Sequence, residues 1–405
     1  MSGSADLSRK LKRASRRKQL TAIGLLAPAL MLMVAAFVWP IVSLLTNSVR
    51  APEFATTMPN LSAWLQSWDG QSMPAETAFR LVAEEFGAAM DAKNLAMAST
   101  RLNYEKGGLR SLAMKTGRRA KDLQAPFAEA LVRVDPAWGE IETWRALKGA
   151  SGVFTDRFVL QALDLERKPD SGIGAVPPEQ RVYLDRLEVT LWISIVVTLL
   201  AALIGYPMAY VMAMAGKTAG RVLFILVLLP FWVSLLVRTA AWVVLLQKEG
   251  ILNGAMLALG LIAEPKQLIF NRLGVYIAMV HVLLPFLVLP LYSVMKSIPR
   301  DHMRAAASLG AGPVSAFMTV YFPQTIPGLG AGCLLVFILA IGFYVTPALV
   351  GGSGDQMISG MISELALGTA NWGLASALAL LLLCCIAIIY PVLGRYAGAT
   401  GLKLG

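Results

Sequence analysis

The sequence has few of the residues on which metal and redox sites depend. Only two histidines, His281 and His302, and three cysteines occur in 405 residues. Cys333, Cys384 and Cys385 all lie in apolar runs and form no C-x-x-C or Cys/His spacing, which favours a packing role for each of them. We therefore expect this chain to bind no metal ion and no cofactor of its own.

Charged residues are also scarce. They make up 15% of the chain, whereas a soluble globular domain carries about 25%. Apolar residues make up 56%, and the mean hydropathy is +0.62. A helix needs about 20 apolar residues to cross a bilayer core of about 30 Å, and runs of that length recur. We predict an all-α polytopic membrane protein, because helices satisfy their own backbone hydrogen bonds in lipid.

The apolar runs lack the motifs of catalysis. They contain no paired carboxylates, no Ser/His/Asp set, no H-E-x-x-H motif and no Walker A loop. The chain is therefore predicted not to be an enzyme and not to hydrolyse ATP alone. Its net charge of +11 does not indicate nucleic acid, because the positive residues are distributed by side of the membrane.

The N-terminus is strongly basic. Residues 1–19 carry seven Lys or Arg and one acid, and an apolar run follows at 20–46. A secretory signal peptide begins in the same way, but its apolar region spans only about 7–15 residues and ends at a small-residue cleavage site. We favour a retained first transmembrane helix at 20–46, with the basic tail 1–19 in the cytoplasm by the positive-inside rule.

Residues 47–187 have a different composition. They contain 18 basic and 18 acidic residues and no apolar run of membrane length. Phe79, Val82, Phe86 and Met90 fall on one helical face. We predict a soluble, mainly helical periplasmic insertion between the first and second transmembrane helices.

Five further apolar spans complete the predicted topology. Lys and Arg concentrate in the alternate loops that share a side with the N-terminal tail, so six transmembrane helices with both termini in the cytoplasm are predicted. A five-helix core is expected over 188–396, with a cytoplasmic loop at 296–325 and a cytoplasmic tail at 397–405. The expected spans are 188–213, 222–247, 273–295, 326–350 and 372–394.

The segment 298–330 is longer and more ordered in pattern than a loop between two spans requires. It contains Arg304-Ala305-Ala306 and then Gly310. This arrangement resembles the cytoplasmic loop of ABC-importer permeases that carries the motif Glu-Ala-Ala-x-x-x-Gly. The family's glutamate is replaced by Arg304, and Asp301 stands one turn earlier as a substitute carboxylate.

The resemblance implies a contact with an ATPase subunit. Alanines on one face let another backbone approach closely, and glycine permits a turn into a second short helix. The residues expected at this contact are Asp301, Arg304, Ala305, Ala306, Leu309, Gly310, Ala311 and Pro323.

Other stretches resemble the spermidine/putrescine-type permeases in particular. The resemblance covers about 20–46 and 185–395 and implies the type I importer permease fold in a bacterial inner membrane. The stretches that carry this resemblance are 27–43, 228–246, 248–262, 283–299 and 343–362.

The same resemblance implies partners and a substrate class. The partners are a periplasmic solute-binding protein, a second and similar permease subunit that makes a heterodimer, and two ATPase subunits that use ATP and Mg. The chain would supply half of the translocation path for a polyamine-type solute. An opine, another amino-acid-derived compound or an aminophosphonate is the alternative.

Residues that touch the solute are predicted from chemistry. A cationic polyamine favours aromatic faces and carboxylates, although aromatic residues in spans more often pack or lie at the interface. Arg238 either reaches an interface or a carbonyl or lines the path, and His281 is expected to make an interhelical hydrogen bond. The candidates are Trp232, Arg238, Trp242, Tyr344, Asp355 and Glu364.

Two other classes of protein remain open from the residues alone. A secondary carrier would use ion-binding carboxylates within its helices and inverted repeats, and neither is evident. A membrane-anchored periplasmic interaction module would place its function in 47–187, where no motif is recognisable.

Overall fold

The computed structural model describes residues 2–168 and 172–396. The predicted C-terminal tail at 397–405 lies outside these residues. The described chain is mainly helical, as predicted, and it divides into two compact units, Met1–Phe158 and Val159–Gly405.

The first unit begins with a long helix and continues with shorter ones. Two 3-10 turns, Ala120–Asp122 and Pro136–Gly139, lie between them. The helices are α1 (Ser2–Asn47), α2 (Glu53–Thr57), α3 (Pro59–Ser67), α4 (Glu76–Asp91), α5 (Leu95–Glu105), α6 (Leu109–Arg119), α7 (Phe127–Val134) and α8 (Ile141–Ala150).

The helices after α1 enclose an aromatic core. The helical face predicted from Phe79, Val82, Phe86 and Met90 lies on α4, where the first three side chains are buried. Met90 is partly buried and packs against the same core. Trp138 and Trp144 are both fully buried, with ring centroids 5.4 Å apart. Phe79 meets Trp144 edge-on at 4.7 Å, in a geometry that aromatic pairs prefer. This part of the chain therefore has a hydrophobic core of its own.

The two ends of this helical region lie side by side. The amide of Ala51 donates to the carbonyl of Val153 at 2.9 Å, and the amide of Thr155 donates to the carbonyl of Val49 at 2.8 Å. The chain thus enters and leaves through one short antiparallel bridge.

The second unit contains most of the membrane-length helices. Helix α9 (Arg157–Ala162) and a hairpin of β1 (Leu165–Lys168) and β2 (Gly172–Ala175) come before them. Five 3-10 or π-helical turns lie at Pro178–Gln180, Leu229–Trp232, Phe317–Tyr321, Ser353–Asp355 and Glu364–Gly368. The helices are α10 (Tyr183–Met214), α11 (Lys217–Leu228), α12 (Leu235–Leu246), α13 (Ile251–Ala258), α14 (Arg272–Ser297), α15 (Arg300–Ser308), α16 (Pro313–Ala316), α17 (Phe322–Ile341), α18 (Val345–Val350), α19 (Ile358–Ser363) and α20 (Trp372–Tyr396).

Helices α10, α14 and α17 form the centre of this unit. Gly332 on α17 lies against α14 so closely that a Cβ there would sit 2.9 Å from the carbonyl oxygen of Leu287. Tyr206 on α10 shares a hydrogen bond of 3.1 Å with Thr325 on α17. Small residues and hydroxyl hydrogen bonds are what hold helices together in lipid, where burial of apolar surface adds little.

Five helices among the described residues are long and apolar enough to cross a membrane. A sixth is present if Lys217–Trp232 and Leu235–Ala258, which are bent against each other, are counted as one span. The predicted all-α polytopic membrane fold is thereby confirmed, whereas the periplasmic location of residues 47–187 stays a prediction. The five are Ile23–Asn47, Tyr183–Met214, Arg272–Ser297, Pro313–Ile341 and Trp372–Pro391.

The span predicted at 222–247 is not one straight helix. Its two halves meet at an angle of 97°. Pro230 opens a tight turn after α11, and the Ser234 hydroxyl then accepts a hydrogen bond from the amide of Val237 at 3.3 Å. Ser234 is therefore an N-cap that starts a new helix, which the run of apolar letters conceals.

The span predicted at 326–350 also ends early, since α17 stops at Ile341. Pro347 has no amide hydrogen to donate to the carbonyl of Phe343, so a continuous helix would leave that carbonyl unpaired. Instead the Ser359 hydroxyl donates to the Phe343 carbonyl at 2.7 Å. A separate short helix, α18, follows.

Candidate functional site

The segment between α14 and α17 forms a helix–turn–helix. Helix α15 ends at a turn in which Gly310 has φ +86°, a left-handed conformation that glycine adopts without a steric penalty. The amide of Ala311 donates to the carbonyl of Ala306 at 3.1 Å across this turn. The turn predicted at Gly310 is therefore present. Helix α16 begins three residues later, at Pro313. We call residues 300–321 the coupling segment.

The coupling segment exposes apolar side chains at its tip. Leu309 is 89% exposed, and Val314 is 72% exposed. Ala306 is buried within the chain, whereas Ala305 faces outwards. The tip of the segment therefore presents two large apolar side chains to its surroundings.

Arg304, the departure from the family pattern, lies on the outer face of α15. Its guanidinium contacts the carboxylate of Asp301 at 3.2 Å, and both side chains are about four-fifths exposed, at 78% and 82%. Asp301 therefore pairs with Arg304 itself. Exposed pairs of this kind contribute roughly 0.2–1 kcal/mol, so the pair leaves both charges accessible to a partner.

Aromatic residues join the coupling segment to the central helices. Phe317 meets Tyr210 on α10 at 5.6 Å, and Tyr321 meets the same ring at 5.5 Å. Phe317 also meets Tyr206 at 6.4 Å. Tyr206 is in turn hydrogen-bonded to Thr325, so these contacts connect the coupling segment to both α10 and α17.

A second group of side chains lies where α12 faces α14. The indole Nε1 of Trp242 donates to Nδ1 of His281 at 3.0 Å, and the two rings meet edge-on at 5.4 Å. The interhelical hydrogen bond predicted for His281 is therefore confirmed. Its partner was not predictable, because the two residues are 39 positions apart in the sequence.

Arg238 lies one turn before Trp242 on α12. Its Nε is buried and has no hydrogen-bond partner among the described residues. The guanidinium lies within electrostatic range of the His281 ring. The structure thus brings Arg238, Trp242 and His281 together, and we call these three side chains the intramembrane cluster.

The other two aromatic candidates stand apart from this hydrogen bond. Trp232 is 89% exposed in the turn between α11 and α12, and Tyr344 is 42% exposed just before α18. Both present aromatic surface outside the packed centre of the unit.

The two carboxylate candidates have partners within the chain. Asp355 is buried and accepts from Nε of Arg272 at 2.8 Å and from the amide of Gly352 at 3.1 Å. Glu364 is exposed and accepts from Gln356 at 3.3 Å. In the described part of the chain, no group of three or more His, Cys, Asp or Glu is placed to hold a metal ion.

An apolar cavity of about 520 Å³ opens between α10, α11 and α14. Sequence reasoning missed it, because a cavity depends on the packing of three helices and leaves no local pattern. Its lining is Pro207, Met208, Val211, Met212, Leu223, Leu226, Val227, Pro230, His281, Leu284 and Pro285. His281 is the polar residue of that set, and it links the cavity to the intramembrane cluster.

Membrane-length helices, an exposed helix–turn–helix between two of them and an apolar cavity are the features expected of a membrane transport permease. The chain belongs to the family described as binding-protein-dependent transport system inner membrane component, which it matches over residues 193–396. The family resemblance identified from the motifs is confirmed.

Two individual relatives show which members of this family the chain resembles. The spermidine/putrescine transport system permease protein of Haemophilus influenzae is 34% identical over 206 residues, which is 51% of this chain and 72% of that protein. An inner membrane ABC transporter permease protein of Escherichia coli is 32% identical over 222 residues, which is 51% of this chain and 69% of that protein. The chain is thus an ABC importer permease of the polyamine type.

Similarity to solved structures is more distant. A bacterial ABC transporter involved in the import of the acidic polysaccharide alginate matches with a TM-score of 0.45 and 18% identity, over 54% of this chain and 80% of that one. The family assignment rests on the sequence comparisons.

Proposed function

We propose that this chain is one permease subunit of an ATP-driven importer and forms half of the path for a small organic amine. A periplasmic binding protein delivers the solute, a second permease supplies the other half of the path, and two ATPase subunits act on the coupling segment. The similarity to a spermidine/putrescine permease supports an amine as the solute.

The observation that carries this proposal is the exposed tip of the coupling segment. Leu309 is 89% exposed beside the left-handed Gly310, and an ATPase cleft that covers it would remove this apolar surface from water. The aromatic contacts to α10 then transmit a rigid movement of the segment to the central helices, which is a common mode of switching at subunit interfaces.

The experiment places a charge at this tip. Leu309→Glu is expected to abolish co-purification of the ATPase subunits with the full chain and its partner permease, because a carboxylate buried without a partner is costly. Leu261→Glu is the matched control, because Leu261 is also exposed, at 68%, but lies outside the coupling segment. Retained ATPase binding in Leu309→Glu would remove the main support for the proposal.

A test of the class itself uses the chain alone. An importer subunit moves no solute without its ATPase, whereas a secondary carrier does. Solute uptake into vesicles that contain the purified chain and no ATPase would contradict the proposal.

The orientation is part of the proposal. We place both termini in the cytoplasm and residues 47–187 in the periplasm, on the basis of the basic N-terminal tail. A cysteine introduced at Asp69, which is exposed, should react with a membrane-impermeant maleimide in intact spheroplasts. Labelling only after lysis would reverse the orientation.

A further inference from the structure

The short antiparallel bridge of the first unit follows directly on the membrane-length helix α1. Leu45 is the last apolar residue of that helix, and Arg50 follows five residues later. The end of the helix, a turn and the first bridge residue together extend by about 10 Å. The polar layer on each side of a bilayer core is about 5–8 Å thick. When α1 crosses a membrane, the bridge therefore lies close to the lipid headgroups.

The turn between α1 and the bridge is held by hydrogen bonds. The amide of Ser48 donates to the carbonyl of Leu44 at 3.0 Å, and the amide of Val49 donates to the carbonyl of Thr46 at 3.3 Å. The Ser48 hydroxyl donates to the carbonyl of Leu45 at 2.8 Å. These bonds satisfy carbonyls that the end of a helix leaves open. The height of the bridge above α1 is thus set by a structured turn.

Arg50 and Phe154 lie opposite each other in this bridge. The two backbone hydrogen bonds of the bridge flank this pair and do not join its members to each other. In such a non-hydrogen-bonded pair the Cα atoms are about 4.5 Å apart, and the two side chains project from the same face. The bridge therefore presents a cation and an aromatic ring side by side.

Neither side chain is used within the described part of the chain. Phe154 is 72% exposed, whereas the nearby Phe158 is buried. Arg50 is exposed, and no carboxylate among the described residues forms an ion pair with it. Arg157, the other arginine beside the bridge, contacts Glu105 at 2.9 Å. An exposed ring and an unpaired guanidinium thus remain together at membrane height.

A phospholipid offers a partner to both groups in the same order. Its phosphate accepts two parallel hydrogen bonds from a planar guanidinium, and the acyl chains begin beside it. The long stem of arginine lets its charged head reach the polar layer, and phenylalanine enters the boundary between headgroups and acyl chains. The bridge is continuous with a helix that is itself in the membrane, which favours lipid over a separate protein as the occupant.

We propose that Arg50 binds the phosphate of a membrane phospholipid while Phe154 inserts beside it. The bridge then anchors the helical region of the first unit to the membrane surface. This inference requires that α1 crosses the membrane. It depends neither on the ATPase subunits nor on which side of the membrane the region occupies.

The test measures the depth of position 154 with a nitroxide spin label on the full chain in phospholipid nanodiscs. Cys333, Cys384 and Cys385 are first replaced with serine, and the label on Phe154→Cys, itself apolar, stands in for the ring. Oxygen concentrates in lipid and a nickel chelate stays in water, so the ratio of their collision rates reports depth. We expect this ratio to be at least threefold higher than for Met97→Cys, the control, which is 63% exposed on α5.

Variants of Arg50 test the phosphate contact. In Arg50→Gln the label at position 154 should lose at least half of its preference for oxygen, because the charge that holds the bridge at the phosphates is gone. Arg50→Lys should keep most of it, since an ammonium group also binds phosphate. Arg118→Gln removes an exposed charge on α6 and should change nothing. Thermal unfolding shows whether each variant is folded, and Arg50→Met, which keeps the apolar stem, replaces Arg50→Gln if that variant is not.

Equal collision ratios at positions 154 and 97 would overturn the inference, as would an unchanged depth in Arg50→Gln. Protection of position 154 only after the solute-binding protein is added would assign this surface to a protein. A last arm uses the chain in maltoside detergent, which has no phosphate. If inorganic phosphate raises the unfolding temperature there, and Arg50→Gln abolishes the rise, the site takes free phosphate and the inference is wrong. None of these outcomes bears on ATPase binding, so the proposed function is tested separately.

Discussion

Arg304 carries a positive charge where the related loop pattern has a glutamate. In the structure it lies on the exposed face of α15 and forms an ion pair with Asp301. The shape of the segment comes instead from the buried Ala306 and the left-handed Gly310. Shape and charge at the proposed ATPase contact are therefore separable.

Arg304→Glu tests this separation. We expect the ATPase subunits to co-purify with the variant as they do with the wild type, and the free energy of unfolding to change by less than about 1 kcal/mol, because exposed pairs contribute little. Arg304→Ala is the control that removes charge without reversing it. Loss of ATPase binding in Arg304→Glu alone would show that the contact uses a charge pair of reversed sign.

Gly310 is the residue on which the turn depends. An alanine there would meet no neighbour within 4 Å, but it would have to adopt φ +86°, at a cost of about 1–2 kcal/mol. We expect Gly310→Ala to reduce solute-stimulated ATP hydrolysis in the assembled importer more than it reduces ATPase binding. The measurements are solute-stimulated ATP hydrolysis and co-purification of the ATPase subunits, each compared with the wild type.

Gly312→Ala is the matched control for Gly310→Ala. Gly312 is equally open, with nothing within 4 Å, but its φ of −65° is ordinary for any residue. If both variants behave alike, then loss of backbone flexibility, and not the left-handed turn, explains the effect.

At the scale of helices, the contact between α14 and α17 is set by Gly332. A methyl group there would lie 2.9 Å from a backbone oxygen, that of Leu287, which cannot rotate away. Gly332→Ala should push the two helices apart and lower the stability of the solubilised chain by about 1–3 kcal/mol. Thermal unfolding in detergent measures this change.

Gly254→Ala on α13 is the control, since nothing lies within 4 Å of that position. It should be neutral or slightly stabilising, by roughly 0.5–1 kcal/mol, because alanine favours a helix more than glycine does. Equal stability of the two variants would contradict close packing of α14 on α17.

The sequence predicts which segments are helical and apolar better than where each helix ends. Hydropathy reports the composition of a segment, so it located all the spans but joined α11 to α12 and extended α17 through Phe343. The breaks depend on single residues: Ser234 as an N-cap and Pro347 as a missing donor. Such signals are short and are hidden within long apolar runs.

The candidate sites differ in how far the sequence reveals them. The coupling segment is local, so its motif and its turn at Gly310 were visible in thirty-odd residues. The intramembrane cluster is not local, because Trp242 and His281 meet only when α12 packs against α14. Chemistry alone selected Arg238 and Trp242, but it also selected Asp355, whose carboxylate Arg272 occupies.

At the scale of the whole molecule, the region between α1 and the second unit has its own core and its two ends are adjacent. Because Ala51 and Val153 are hydrogen-bonded to each other, we expect that a short linker can join them when the helices between them are removed. We propose that this region receives the solute-binding protein, since the predicted topology places it on the periplasmic side.

Deletion of residues 52–152, with Gly-Gly joining Ala51 to Val153, tests this role. Two glycines suit a tight turn between antiparallel strands, so the variant should fold, insert and still bind the ATPase subunits. We expect the affinity of the importer for its solute-binding protein to fall at least tenfold, and basal ATP hydrolysis to remain while its stimulation by the loaded binding protein is lost. Titration of the binding protein against the importer in nanodiscs measures both effects. Unchanged affinity and stimulation, in a variant that assembles normally, would show that the region has no part in delivery.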